Sequence, residues 1–200
     1  AVLAAKDDSS VPDMDFSGYD AVILEATGRF DHVFTVELSM ETISFKIKYL
    51  TDKGIKDYGS QTILYDPSSE TISKIEGTVT LPDGSKVEVT KADIFKKDVI
   101  KKGRRKMTEM KIAFPSLQPG AVAEFLFTRS FNGSRMVSYW PFQSELYTVK
   151  SEVTFLPWPG TPCGYTMRNT TVEPEISETR PGGNKAITVK RMNIPPLPEE

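Results

Sequence analysis

The stretch VFTVELSMETISFKIKYL, residues 33–50, decides how the rest of the chain is read. Phe34, Val36, Leu38 and Met40 alternate with Thr35, Glu37 and Ser39, and then Ile43, Phe45, Ile47 and Tyr49 alternate with Ser44, Lys46 and Lys48. Strand side chains repeat every two residues, so this is the pattern of a long antiparallel strand with one face buried. The apolar parity changes near Glu41. One extra residue moves every later side chain to the other face, so a strand that keeps one face buried through the change needs a β-bulge or a bend there.

The same alternation extends outward in both directions. Residues 21–25 form a first strand, and Thr51-Asp52-Lys53-Gly54 reads as a turn after the long one. A strand over 55–65 closes on Asp66-Pro67-Ser68-Ser69, and 71–81 sets Ile75, Val79 and Leu81 on one face. Pro82-Asp83-Gly84-Ser85 is the strongest hairpin signal, because proline presets φ at the first turn position and glycine tolerates the left-handed one. Residues 86–90 return from it, and 91–102 read as a helical turn leading into a strand. Further strands fall at 104–114, 121–131, 145–156, 165–172 and 185–194. Phe125 and Phe127 point one way and Leu126 the other, as in a strand covered on both sides. The expected fold is all-β: an antiparallel β-sandwich of about ten strands with little helix. Residues 1–18 read as a flexible N-terminal arm, 19–194 as the sandwich, and 195–200 as a Pro-rich linker toward a further C-terminal domain.

A chain of 200 residues buries roughly 70% of the surface its unfolded form exposes, enough for a core without metal or disulfide. With 26% charged residues and a net charge of -2, the composition argues against a nucleic-acid binder and against a disordered chain. The single cysteine, Cys163, rules out an intrachain disulfide and leaves the compartment open. No apolar run reaches the ~20 residues needed to span a bilayer. The start Ala1-Val2-Leu3-Ala4-Ala5 fits either the remnant of a signal peptide or a frayed leader.

Thiol catalysis needs a cysteine, a histidine to deprotonate it and a group to orient the histidine. Only Cys163, in a proline-rich loop, and His32, in Arg29-Phe30-Asp31-His32-Val33, are available. Nothing places them together, so they read as a packed or surface thiol and a solvated turn histidine, and a protein-only zinc site is not expected. No pair of carboxylates stands out from surface charge, and Gly182-Gly183 is a turn rather than a phosphate loop. Lys96, Lys97, Lys101, Lys102, Arg104, Arg105, Lys106 and Lys111 crowd one segment. They could meet an acidic glycan, a phospholipid surface or an acidic partner domain; the reading preferred on sequence is a solvated hairpin whose charges blunt a strand edge. Tyr139, Trp140, Phe142, Tyr147 and Trp158 could form a carbohydrate platform or an interface anchor, with core packing the default.

A series of segments then carries a resemblance: Leu81-Pro82-Asp83-Gly84, the run from Phe114 to Phe125, Trp140-Pro141-Phe142-Gln143-Ser144-Glu145-Leu146, the run from Ser151 to Pro157, and the close Ile194-Pro195-Pro196-Leu197-Pro198-Glu199-Glu200. In this order they resemble the bacterial domain of unknown function that precedes transglutaminase-like domains. The resemblance covers residues 19–200 and implies an all-β module of exported or surface proteins, followed by a papain-like core holding the Cys, His and Asp. It assigns no catalytic residue here. Where the family commonly has an acid after the Pro-Gly turn, this chain has Ala121. The expectation is a non-catalytic accessory or interaction domain, periplasmic or on the cell surface, without cofactor. Its partner is a C-terminal transglutaminase-like domain; the alternative is a glycan- or peptide-binding module. Candidate binding residues are Tyr139, Trp140, Phe142, Trp158, Lys101, Lys102, Arg104 and Arg105.

Overall fold

A computed structural model describes residues 15–33, 38–102, 105–133, 139–157, 165–168, 175–180 and 184–198. Among them the chain forms β1 (Ala21–Val33), β2 (Leu38–Tyr49), α1 (Asp52–Tyr58), β3 (Ser60–Tyr65), β4 (Glu70–Thr80), β5 (Lys86–Glu88), β6 (Ile94–Lys102), β7 (Arg105–Ala113), β8 (Val122–Asn132), β9 (Tyr147–Leu156), β10 (Glu175–Arg180) and β11 (Asn184–Ile194). A 3-10 turn, Lys91–Asp93, leads into β6 as expected. The strands make an eight-stranded sheet in the order β10-β11-β9-β1-β2-β8-β4-β5 and a three-stranded sheet in the order β3-β7-β6.

The two sheets share one core. Ile63, Tyr65, Met110 and Ile112 of the small sheet pack on Ile47, Tyr49, Val79, Ala123, Phe125 and Phe127 of the large one. Each fully buried aliphatic or phenyl side chain in such a layer contributes about 1.5–3 kcal/mol. The Pro82–Ser85 hairpin forms as read: Leu81 N donates to Ser85 O at 2.8 Å, and Gly84 takes a φ of 84°.

Several expectations need correction. The large sheet is mixed, because β9 pairs parallel to β1 from Val22↔Tyr147 to Asp31↔Leu156. β8 and β9, consecutive in sequence, run in the same direction with β1 and β2 between them, so a tight turn cannot join them. The parity change at Glu41 is not a bulge. β2 keeps unbroken register with β1 and β8 through this position, and Ser39, Glu41, Ile43, Phe45, Ile47 and Tyr49 share one face throughout. What changes along β2 is the chemistry of the buried face, polar at Ser39 and Glu41 and apolar beyond. The irregularity lies in β1 instead, between Ile23 and Glu25. That strand is also longer than 21–25, running to Val33.

Residues 52–58 are a helix rather than a turn and strand. Thr51 Oγ1 caps it by accepting from Gly54 N at 3.1 Å, and Asp20 holds Thr51 Oγ1 at 2.7 Å and Lys53 Nζ at 2.8 Å. These contacts, the one to Lys53 first, draw the Asp20 carboxyl below its ordinary value. Of the strand expected over 165–172, residues 165–168 are irregular and the remainder lies outside the described residues. Phe16, placed in the arm by sequence, packs against Tyr147 together with Tyr19.

Candidate interaction surfaces

The register of β1, β2, β8 and β4 brings a set of polar residues onto the core face at one end of the sheet. His32 stands opposite Ser39 across the β1–β2 ladder, with Nδ1 at 2.9 Å from Ser39 Oγ. It is therefore half-buried on a strand, not a solvated turn residue. Burial draws its imidazole below the ordinary range, partly offset by the neighbouring Asp31 carboxylate. One row further in, the Arg129 guanidinium lies between Glu41, at 4.0 Å, and Glu70, at 3.3 Å, and donates to Leu64 O of the small sheet at 3.3 Å. The Phe127 and Phe131 rings flank it, each centroid 5.9 Å away. A cation set beside two carboxylates and two rings, and hydrogen-bonded to a carbonyl of the facing sheet, links the layers where the apolar core ends. Sequence reasoning missed this group; the signal was the pair of polar residues, Ser39 and Glu41, on the face that is apolar further along β2.

Cys163, Trp158 and Arg104 lie outside the described residues. Lys101 and Lys102 are on β6 and Arg105 is on β7, with the backbone pairs Lys101↔Lys106 and Lys102↔Arg105, but their side chains also lie outside what is described. Among the described residues no group of three or more His, Cys, Asp or Glu side chains could hold a metal ion.

The aromatic candidates separate into two roles. Trp140 lies on the large sheet directly over Gly28, stacks on Phe45 at 6.5 Å, meets Phe30 edge-on at 6.4 Å, and donates from Nε1 to Ser151 Oγ at 3.0 Å. Phe142 packs on the cluster of Phe30, Val153 and Val189. Tyr147 packs with Phe16 and Tyr19 on the opposite face of the sheet. Tyr139 alone of the described members faces solvent, at 76% exposure. Trp140 and Phe142 therefore act as the anchors of a strap, residues 139–146, laid over the sheet.

That strap also holds the end of the described chain. Gln143 Nε2 donates to Pro195 O at 3.1 Å and to Pro196 O at 3.2 Å, and Leu197 N donates to Ser144 O at 2.8 Å. Leu197 is 49% exposed. The Pro-rich segment is thus fastened to a strap that is itself locked onto the core through Trp140.

With this geometry in hand, the comparisons with known proteins are informative about fold. The family described as a domain of unknown function with solved structure, DUF3857, matches residues 38–198. No curated protein matches the sequence. A candidate protease of Parabacteroides distasonis superposes with a TM-score of 0.78 at 18% identity, over 90% of this chain and 37% of that one. The chain thus corresponds to little more than a third of that protein's length, and the likeness is one of fold. Yeast LTA4 hydrolase in complex with bestatin gives a TM-score of 0.36 at 11% identity, over 86% of this chain and 26% of that one, too low to bear on the architecture.

Proposed function

This chain belongs to DUF3857, a family of domains of unknown function, and from that premise we propose that it acts as a non-catalytic accessory domain of an exported protein, packing against or presenting substrate to a transglutaminase-like neighbour. The observation that carries this reading is the fastening of Pro195, Pro196 and Leu197 to Gln143 and Ser144. A domain joined beyond this segment would emerge in a fixed direction next to the strap, rather than on a loose tether. Exposed Tyr139, on the strap, and Leu197, on the fastened segment, supply apolar surface for it.

The separate reading of an aromatic glycan platform draws less support, since Trp140 and Phe142 spend their faces on the core.

Melting temperatures of the chain alone and joined to the downstream domain of its gene test the proposal. A shared transition at higher temperature, with a Cys, His and Asp core in that downstream domain, is the expected result. Two transitions that match the separate domains, or a downstream sequence without such a core, would remove the accessory reading.

A further inference from the structure

Charge is distributed very unevenly along this chain. Between Ile94 and Ala113, the span of β6 and β7, there are eight Lys and Arg residues and two acids, a net +6 in a protein whose total is -2. The hairpin therefore carries a strong positive field, while the rest of the molecule is acidic. It also lies apart from the fastened C-terminal segment. β3 ends at the pair Tyr65↔Thr108, level with the Arg129 cluster, and the hairpin continues past that pair with β6 and β7 bonded, among the described residues, only to each other. Pro195, by contrast, follows Ile194, which pairs with Thr148 at the far end of β9.

β6 is an edge strand: among the described residues it pairs with β7 alone. Phe95, Lys96, Lys97, Asp98 and Val99 are all exposed, Phe95 at 57%, so neither face of this part of the strand is covered. Its lysines alternate between the faces, with Lys97 opposite Glu109 and Lys96 opposite Met110. A flat anionic surface can meet only one face of such a ribbon. An added strand meets both, because its own side chains alternate in the same way while its backbone bonds to the free edge.

We propose that the free edge of β6 receives an extended acidic polypeptide segment, which pairs as an additional strand and sets its carboxylates beside Lys96 and Lys97. Lysines and the irregularity between Asp98 and Ile100 keep two copies of this edge from pairing with each other, and the same charges admit a strand of opposite sign. Phe95 supplies the apolar contact beside Lys97 and Lys111.

The test uses the full chain and a fluorescent peptide alternating glutamate and valine, with its lysine-for-glutamate counterpart and phosphatidylglycerol vesicles as the comparison probes. The acidic peptide should bind, weaken as salt rises, and add hydrogen-exchange protection to the amides of β6. Lys96→Glu together with Lys97→Glu, both at exposed positions, should leave the chain cooperatively folded, with a slightly lower melting temperature because residue 97 faces Glu109, and weaken the peptide by about tenfold or more. The basic peptide should not bind. Absence of acidic-peptide binding, undiminished binding to the charge-reversed variant, binding without protection of β6, or binding to the vesicles alone would each overturn the proposal.

Discussion

A Cβ on Gly28 would lie 2.5 Å from a ring carbon of Trp140, so the strap can lie flat only because this strand position has no side chain. Gly28→Ala should cost about 1–3 kcal/mol, because an aromatic ring wedged against a strand yields little. Trp140→Ala should cost about 3 kcal/mol. In urea unfolding the double variant should cost clearly less than the two together, since the clash disappears with the ring; strict additivity would contradict the contact. Glycine inside a strand is a sequence signal for close approach, but with the first strand read only over 21–25 Gly28 fell outside it and the signal went unread. Its partner was equally hidden, because nothing local ties residue 28 to residue 140. His32 makes a second prediction at this scale. Burial lowers its affinity for a proton in the folded state, so the unfolded chain binds the proton first as pH falls below the ordinary value of 6.5. Stability is then full above that value and declines as pH drops through the lowered one. His32→Gln should flatten the stability profile just below pH 6.5. An unchanged slope in chemical unfolding at those pH values would show that the imidazole does not control it.

Among the elements, those marked by local chemistry were legible and those made by distant contacts were not. The Pro82–Ser85 hairpin, the turn into β6, and strands β8 and β9 follow from turn residues and two-residue alternation. α1 was hidden because Gly54 imitates a turn; its seven residues are held by Thr51 and by Asp20, the latter from the other side of β1 and β2 in sequence. Seven residues are too few to be helical on local propensity alone. The parallel neighbour of β1 was equally hidden, since alternation gives a strand's faces and not its neighbours. The fastened segment after β11 supplies the prediction at this scale. Gln143→Ala removes both donors to Pro195 and Pro196, so the Leu197 amide should exchange faster while overall stability changes by no more than about 1 kcal/mol. Unchanged exchange at Leu197 would mean that the bond to Ser144 holds the segment without help.

At the scale of the whole molecule, an eight-stranded mixed sheet covered in part by a three-stranded one gives a body with distinct ends. One end carries the Arg129 cluster and the basic hairpin beyond it. The other carries Tyr147, where Phe16 and Tyr19 pack, and Ile194, from which the chain turns back to the strap. The mostly β architecture was readable from the sequence, whereas the candidate surfaces were readable only as residue types; core packing, the default reading of Trp140, is where its neighbours place it, but which neighbours those are was not legible. The central claim is that the strap and the segment fastened to it form the seat of an adjoining domain. Hydrogen exchange of the chain alone and joined to that domain addresses it most directly. The account predicts added protection in residues 139–146 and 195–198, with β6 unchanged. Protection elsewhere with the strap unaffected, or no change at all, would contradict it.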